Sequence, residues 1–230
     1  MNIIVLGDGL LGSEIVNQTN WKFISRKKDG IDANQFENWS NQILQYDIII
    51  NCIAFTKTYD IDKEKNWLLN LSFVDKLIDF CNINNKKLVH ISTDYIYTNS
   101  ISNATEEDVP VHLGTWYGYT KLVGDALVQL RSKNYLVCRL SHKPNPFPYD
   151  NAWFDIKTNC DYVDVISDLI IKLVASNANG VYNVGTELKS IYDLVKKTNS
   201  EIKASYKPKQ APGDISMNIN KLKNKLNENF

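Results

Sequence analysis

The sequence predicts an α/β fold: a doubly wound parallel sheet with helices on both faces and a small C-terminal cap. Roughly the first ninety residues alternate short apolar runs with amphipathic segments, and this succession is typical of β-α-β units. The apolar runs show no polar face, as expected for strands that helices cover on both sides. Right-handed crossovers between such strands distribute the helices over both faces of the sheet.

Six strands and seven helices follow from the periodicity of the apolar residues. The strands are predicted at residues 2–6, 21–25, 47–51, 87–92, 135–140 and 181–184. The helices are predicted at residues 10–18, 36–44, 62–81, 114–132, 163–175, 190–198 and 217–226. A polar loop is predicted at 93–113 and an irregular, proline-rich segment at 141–150. Because the last third of the chain has few strands of its own, we predict a first domain, residues 1–140, and a small, shortened cap, residues 141–230, that completes the sheet.

The composition argues against several classes of protein. Lysine plus arginine (26) equals aspartate plus glutamate (26), so no general field attracts nucleic acid or an anionic membrane. No apolar run approaches the roughly 20 residues of a membrane-spanning helix, and no signal peptide is expected. Four widely spaced cysteines without a CxxC pair favour a reduced, cytoplasmic protein. No metal site is predicted, because the loop residues His112 and His142 have no further ligand at a suitable spacing.

A glycine-rich turn follows the first strand directly. The residues GDGLLG at 7–12 have the spacing GxGxxG and begin the first helix. Gly7 permits the tight turn, Gly9 lets the backbone approach a pyrophosphate, and Gly12 lets the helix pack closely on the strand. The helix N-terminus offers free N–H groups and a partial positive charge to phosphates. The motif predicts that 1–140 is a Rossmann-like, dinucleotide-binding domain. Its predicted cofactor contacts here are Gly7, Gly9, Leu10, Leu11 and Gly12.

The end of the second strand predicts which dinucleotide is bound. An acidic residue there hydrogen-bonds the ribose hydroxyls of NAD, whereas a basic residue pairs with the 2′-phosphate of NADP. The chain has Ser25, Arg26 and two lysines, with no carboxylate before Asp29. A solvated basic turn is the alternative interpretation. Because Arg26 is one of only three arginines and stands at the selecting position, we predict NADP(H) and leave NAD(H) open.

A tyrosine and a lysine four residues apart predict the reaction chemistry. Tyr117 and Lys121 share one face of the predicted helix 114–132. A free phenol has a pKa near 10, so we expect the ammonium of Lys121 to lower the pKa of Tyr117 and to hold the nicotinamide ribose. Thr93 directly follows the fourth strand, at the carboxyl edge of the sheet where ligands of open α/β folds bind. Thr93, Tyr117 and Lys121 are therefore the predicted catalytic residues.

These motifs together resemble the extended short-chain dehydrogenase/reductases, above all the dTDP-4-dehydrorhamnose reductases and related nucleotide-sugar 4-ketoreductases. The similar segments are NCIAFT at 51–56, HISTDYIY at 90–97, YGYTK at 117–121 followed by GD, CRLS at 138–141, YVD at 162–164 and GVYNVG at 180–185. The resemblance implies NADPH-dependent reduction of the 4-keto group of a nucleotide-activated deoxysugar. It also implies that Asn51 and Ala54 lie beside the cofactor. Asp94 and Tyr95 are expected to hold the sugar together with Tyr117, or else to cap the loop.

The sequence departs from this family in two places. The glycine turn is one residue shorter than the family's GxxGxxG, and the stretch between Arg139 and Tyr162 is much shorter than usual. The cofactor half therefore looks complete and the substrate half trimmed. Two alternatives stay open: a nucleotide-sugar epimerase or dehydratase, and a non-catalytic dinucleotide-binding regulatory subunit. Family dehydratases usually have Asp-Glu where this chain has Asp94 and Tyr95. A homodimer is also left open.

Overall fold

The computed structural model describes residues 1–98, 100–108, 110 and 114–227. Within them ten strands occur, and six of these form the main sheet. The strands are β1 (Ile3–Leu6), β2 (Lys22–Ile24), β3 (Ile48–Asn51), β4 (Lys87–Ile91), β5 (Tyr135–Leu140), β6 (His142–Lys143), β7 (Asn151–Trp153), β8 (Asp161–Tyr162), β9 (Gly180–Val184) and β10 (Lys203–Ser205).

The main sheet has the order β2-β1-β3-β4-β5-β9, and all of its neighbouring strands are parallel. The prediction of a doubly wound parallel sheet is therefore confirmed, with all six predicted strands in it. The winding reverses between β1 and β3, which pair directly in the middle of the sheet. Open α/β sheets bind their ligands at this reversal, outside the carboxyl ends of the strands. The glycine turn after β1 and the segment after β3 both lie there.

Nine α-helices connect these strands in the described part of the chain. They are α1 (Leu10–Thr19), α2 (Arg26–Asp29), α3 (Phe36–Trp39), α4 (Lys63–Trp67), α5 (Phe73–Ile83), α6 (Trp116–Arg131), α7 (Val163–Ala175), α8 (Ile191–Lys196) and α9 (Asn220–Leu226). Side chains close in sequence cap the N-termini of two of these helices. Thr115 caps α6 by accepting a hydrogen bond from Gly118 N, at 3.1 Å. Ser190 and Asp193 form a reciprocal capping box at the start of α8.

Two helices predicted as continuous are divided in the structure. The helix predicted at 36–44 is α3 followed by a 3₁₀ turn, Ser40–Ile43. The helix predicted at 62–81 consists of α4, a π-helical turn at Leu68–Ser72, and α5. Apolar periodicity shows which residues face the core, but it does not distinguish α, 3₁₀ and π turns, which differ by one residue in hydrogen-bond spacing.

The last predicted helix begins later than expected. The prediction started it at Met217, whereas α9 begins at Asn220. Met217 is instead held by a tertiary contact, because its backbone N–H donates to Oδ1 of Asn159 at 2.7 Å. Apolar periodicity near a helix end does not show that the backbone of Met217 already has a distant partner.

The two faces of the main sheet carry separate hydrophobic cores. On one face Ile15 of α1 packs with Ile166 of α7, and both are fully buried. On the other face Phe36 packs edge-on against Phe73 at 5.7 Å between ring centroids. Burying one such side chain contributes about 1.5–3 kcal/mol. This packing holds the strand ends, and the loops that follow them, in fixed positions.

The C-terminal part contains more strand structure than the sequence predicts. β9 joins the main sheet, while β6 pairs with β8 and β7 with β10 in two small parallel ladders. The segment 141–150, predicted as irregular, thus contains β6. These strands have only two or three residues, too few for an alternating pattern, and their partners come from distant parts of the chain. The domain boundary at residue 140 stays a prediction. No helix of the described residues is long and apolar enough to cross a membrane.

Candidate active site

The glycine turn after β1 has the geometry that its sequence predicts. Gly7 adopts φ +97°, in the left-handed region that favours glycine. A Cβ on Gly12 would lie 2.2 Å from the carbonyl oxygen of Gly7, so only glycine allows α1 to pack this closely. Gly9 is the N-cap of α1 and supplies no side-chain cap, and a Cβ there would meet no atom within 4 Å. The first N–H groups of α1 are therefore open to a phosphate ligand.

A cavity of about 480 Å³ begins at this turn and runs along the carboxyl ends of the main strands. Its walls come from the glycine turn, the segments after β3, β4 and β5, and the first turns of α6. It brings together nine of the residues singled out in the sequence: Gly9, Leu10, Leu11, Gly12, Ala54, Thr93, Tyr95, Tyr117 and Lys121. Gly7, Arg26, Asn51 and Asp94 do not line it. The cavity spans the glycine turn and the Tyr117 helix, as a site for a dinucleotide and a second molecule requires.

Tyr117 and Thr93 both line this cavity. Burial raises the pKa of Tyr117 to about 12, against the lowering effect of the neighbouring Thr93 hydroxyl. The phenol is therefore protonated at neutral pH and can act as an acid. Thr93 also accepts a hydrogen bond from the backbone N–H of Tyr95 at 3.3 Å, which fixes its hydroxyl at the end of β4. The side chains of Tyr117 and Thr93 thus belong to the wall of the same cavity.

Lys121 behaves differently from the sequence prediction. Its Nζ donates to the carbonyl oxygen of Ile91 at 2.5 Å, and its side chain is almost fully buried. Burial lowers the pKa of Lys121 to about 8. The expected lowering of the Tyr117 pKa by Lys121 is not found, because desolvation of the phenol dominates and only the neighbouring Thr93 hydroxyl opposes it. Lys121 nevertheless lines the cavity beside Tyr117, where its ammonium can meet a bound cofactor.

Asp94 lies behind the cavity wall rather than on it, which corrects the expectation that it holds the sugar. Its carboxylate is fully buried and accepts long hydrogen bonds, both at 3.4 Å, from the hydroxyls of Thr93 and Thr158. Burial raises the pKa of Asp94 to about 7, although the charge of Lys143 and these hydrogen bonds lower it. Asp94 is therefore linked to the cavity wall through the hydroxyl of Thr93.

Tyr95 does line the cavity, as predicted. Its hydroxyl lies 3.1 Å from that of Tyr59, and its ring packs edge-on against Tyr117 at 6.1 Å between centroids. Burial raises the pKa of Tyr95, so this phenol stays protonated. Tyr59, on the segment after β3, also lines the cavity and was not singled out in the sequence. No local motif marks it.

Arg26 and Asn51 lie at the edges of the cofactor half. Arg26 is exposed and begins α2, and its guanidinium has no hydrogen bond or ion pair with any residue that the structure describes. The backbone N–H of Gly7 donates to the carbonyl of Ile24 at 2.9 Å, which holds the end of β2 next to the glycine turn. Asn51 is buried and accepts a hydrogen bond from Ile53 N at 3.1 Å, so it shapes the loop after β3 instead of facing the cavity.

Two buried polar contacts hold α6 in place beneath the site. Asp125 accepts two hydrogen bonds from Arg139 of β5, both at 3.0 Å, and the two side chains are almost fully buried. Asn70, in the π-helical turn, donates to the hydroxyl of Thr120 at 3.1 Å and accepts from Phe55 N at 2.9 Å. Because Asn70 thus bridges α6 and the segment after β3, it fixes two walls of the cavity relative to each other.

Three further residues of the cavity wall come from the segment after β5. His142, Lys143 and Trp153 all line it, and no motif in the sequence predicts them as ligand contacts. Nothing in their local sequence marks them, since they reach the cavity through the pairing of β6 and β7 with distant strands. No group of three metal-ligating side chains occurs among the residues described. His112 lies outside the described residues.

The parallel sheet, the glycine turn and the helix with Tyr117 and Lys121 are those of the extended short-chain dehydrogenase/reductase type. Residues 1–142 match the family model described as the RmlD substrate binding domain, and the chain belongs to this family.

Two curated proteins are similar to parts of the chain. One is the spore coat polysaccharide biosynthesis protein SpsK of Bacillus subtilis (strain 168), 33% identical over 148 residues, which are 60% of this chain and 52% of that protein. The other is the dTDP-4-dehydrorhamnose reductase of Shigella flexneri, 32% identical over 98 residues, 41% of this chain and 32% of that protein. The matches thus span about half and about a third of these relatives.

Solved structures share the fold over nearly the whole chain. A hypothetical dTDP-4-dehydrorhamnose reductase from Sulfolobus tokodaii has a TM-score of 0.83 at 22% identity, with 97% of this chain and 94% of that chain covered. The dTDP-4-dehydrorhamnose reductase from Bacillus anthracis, in complex with NADP, has a TM-score of 0.80 at 21% identity, with 97% and 92% covered. The UDP-glucuronic acid 4-epimerase from Bacillus cereus, in complex with NAD, has a TM-score of 0.78 at 17% identity, with 100% and 91% covered.

Proposed function

We propose that the protein is an NAD(P)-dependent oxidoreductase that reduces the 4-keto group of a nucleotide-activated deoxysugar, with NADPH as the favoured reductant. One observation carries this proposal. A protonated phenol, Tyr117, and the hydroxyl-bearing Thr93 line the same cavity as an open glycine turn. A carbonyl reduction needs these two parts close together: a cofactor site, and a proton donor for the oxygen that becomes a hydroxyl.

The residues present fit a dinucleotide. The open N–H groups at the start of α1 would hold its pyrophosphate, while Ala54 and Lys121 would line the rest of its path. Gly9 supports this fit, because any side chain there would point into open space at the start of α1. When bound, the cofactor supplies the hydride. Lys121 is mostly an ammonium below pH 8 and would hold the ribose through its charge.

The protein's own residues would supply the proton and orient the carbonyl. On binding, the hydroxyl proton of Thr93, donated to Asp94 in the structure, would turn to the substrate oxygen. Tyr117 would donate its proton to that oxygen as a general acid. General acid catalysis typically contributes about 10²–10⁴-fold. The raised pKa of Tyr117 keeps the proton on the phenol at neutral pH, which is the form that a reduction uses.

The preference for NADPH rests on Arg26. Arg26 is exposed and is the first residue of α2, directly after Ser25. In dinucleotide folds this position meets the adenosine ribose. An arginine pairs with a 2′-phosphate through parallel hydrogen bonds. Among the relatives, the Bacillus anthracis reductase was solved with NADP and the Bacillus cereus epimerase with NAD, so both cofactors occur on this fold.

The test is the oxidation of NADPH with a dTDP-linked 4-keto-6-deoxysugar, followed by absorbance and by identification of the sugar product. Turnover that disappears in Tyr117→Phe supports the proposal. Conversion of a nucleotide hexose without a keto group into its epimer or its 4-keto-6-deoxy form, without net NADPH consumption, would replace it with an epimerase or dehydratase. Tight NADPH binding without turnover of any 4-keto nucleotide sugar would replace it with a regulatory subunit. A homodimer and a location in the cytoplasm stay predictions.

A further inference from the structure

The carboxyl group of Asp94 is buried with few partners behind the cavity that Thr93 and Tyr117 line. It belongs to the 3₁₀ turn that follows β4 and is fully buried. From other residues it accepts two hydrogen bonds, Oδ1 from the hydroxyl of Thr93 and Oδ2 from that of Thr158, both at the long distance of 3.4 Å. It has no ion pair with any residue in the described part of the chain. A buried carboxylate with so little compensation favours its neutral form, and burial accordingly raises the pKa of Asp94 to about 7.

The hydroxyl of Thr93 is fully engaged while Asp94 is ionised. A hydroxyl has one proton to donate and two lone pairs that accept. One lone pair of Thr93 accepts the backbone N–H of Tyr95 at 3.3 Å, and the proton goes to Oδ1 of Asp94. Thr93 can then donate to a ligand in the cavity only by giving up its hydrogen bond to a charged group.

A proton on Asp94 reverses this hydrogen bond. Protonated Oδ1 is itself a donor, and it would fill the second lone pair of Thr93. The hydroxyl proton of Thr93 is then free for a carbonyl in the cavity that Thr93 lines. Thr158 determines which oxygen takes the proton. It accepts the backbone N–H of Cys160 at 3.0 Å and donates its own proton to Oδ2 of Asp94, which leaves Oδ1, beside Thr93, to be protonated.

We propose that Asp94 is a positioning residue whose proton directs the hydroxyl of Thr93. Protonated Asp94 donates to Thr93, whose own proton then turns to the substrate carbonyl, whereas ionised Asp94 accepts that proton and withholds it. This assignment rests on the proposed function and adds to it the residue that makes the carbonyl-binding hydroxyl depend on pH. Asp94 exchanges its proton with water, and the proton that reaches the product still comes from Tyr117.

The other titratable groups around Asp94 do not change charge near neutral pH. Burial raises the pKa of Tyr117 to about 12 and that of Cys160 to about 11, and it also raises that of Tyr95. The two phenols and the thiol therefore stay neutral. Lys143 of β6 supplies the charge that lowers the pKa of Asp94. A step near pH 7 in the reaction of this site therefore reports the titration of Asp94.

The kinetic test is the pH dependence of a single turnover of a dTDP-linked 4-keto-6-deoxysugar at saturating NADPH and sugar. Saturating NADPH removes the effect of Lys121, whose charge acts on cofactor affinity. The rate should fall roughly tenfold or more as the pH rises through about 7, because one hydrogen bond to a charged group contributes about that factor. Asp94→Asn keeps a donor toward Thr93 at every pH, since Thr158 donates to its amide oxygen. Its rate should stay near that of the wild type on the acid side.

A second variant tests whether the step belongs to this hydrogen-bond network. Thr158→Val removes a hydrogen bond that lowers the pKa of Asp94, so the midpoint of the rate profile should move to higher pH. Thr158 is almost fully buried and does not line the cavity, and a merely structural role would leave the midpoint in place. Thr19→Val is the matched control, because the hydroxyl of Thr19 bonds to Ile15 within α1; its midpoint should be that of the wild type. Thermal unfolding shows whether each variant is folded.

An NMR titration without substrate separates this assignment from the proposed function. With carbon-13 in the aspartate carboxyls and the threonine methyls, Asp94→Asn and Thr93→Val identify the two resonances. Both should shift with one midpoint, at about pH 7 in the wild type and higher in Thr158→Val. A common midpoint in a protein that reduces no 4-keto nucleotide sugar refutes only the proposed function. A single-turnover rate that stays constant across pH 7, a step that persists in Asp94→Asn, or resonances that titrate separately overturns the assignment of Asp94.

Discussion

Replacing Tyr117 with phenylalanine removes one oxygen atom from the cavity and with it the proposed proton donor. Burial raises the pKa of this phenol to about 12, about five units above neutral pH. The ionised fraction at pH 7 is therefore on the order of 10⁻⁵, and nearly every molecule carries the proton that a reduction needs. We expect Tyr117→Phe to lose this donor completely while the ring keeps its edge-on contact with Tyr95.

The expected loss in kcat is about 10²–10⁴-fold, which corresponds to about 3–5 kcal/mol of the activation barrier. Stability should change far less. Thr93 keeps its hydrogen bonds to Asp94 and to the backbone of Tyr95, so the free energy of unfolding should fall by only about 1 kcal/mol. A large kinetic effect with a small stability effect is the pattern expected for a catalytic proton donor.

The assay measures NADPH oxidation with a 4-keto nucleotide sugar, NADPH binding by fluorescence, and urea unfolding on the same preparations. The matched control is Thr93→Val, which removes a hydrogen bond to the carbonyl but leaves the proton source, so its kcat should fall less than that of Tyr117→Phe. If Tyr117→Phe retains kcat within a few-fold of the wild type while turning over the true substrate, the assignment of Tyr117 as general acid is wrong.

Four further predictions concern the cofactor half and the support of α6. Arg26→Ala should reduce NADPH affinity about tenfold or more and leave NADH affinity unchanged; equal affinities of the wild type for both cofactors, measured by fluorescence titration, would contradict the NADP preference. The pKa of Lys121 is lowered to about 8, so its ammonium is lost as the pH rises through 8 and NADPH affinity should fall between about pH 7 and pH 9. Lys121→Met should bind weakly with no such pH dependence, and a parallel decline in the variant would refute this cause. Gly12→Ala should destabilise the protein by about 1–3 kcal/mol and abolish NADPH binding, because the added Cβ would lie 2.2 Å from a backbone oxygen; unchanged binding would show that the turn adapts. Asp125→Ala should lower the free energy of unfolding by about 3–5 kcal/mol, since it leaves Arg139 buried without its partner, and a urea-unfolding loss below about 1 kcal/mol would argue against that pairing.

Much of the fold is predictable from the sequence because its signals are local. Every strand of the main sheet has a continuous apolar run, and the glycine turn is dictated by contacts within six residues, where a Cβ on Gly12 would meet Gly7. The spacing of Tyr117 and Lys121 places both on one helix face whatever surrounds them. The short strands β6 and β8 are the contrary case. Two residues cannot show an alternating pattern, and their pairing depends on segments far apart in the chain.

The parallel sheet, the glycine turn after its first strand, and the common helix face of Tyr117 and Lys121 follow from the amino-acid sequence alone, because periodicity and local sterics act between near neighbours. What these groups can do depends on the tertiary structure. It buried Asp94 behind the cavity wall, bonded Lys121 to Ile91 rather than to Tyr117, and brought Lys143 to the wall of the cavity. Burial and charge depend on every segment packed around a group, and those segments come from distant parts of the chain.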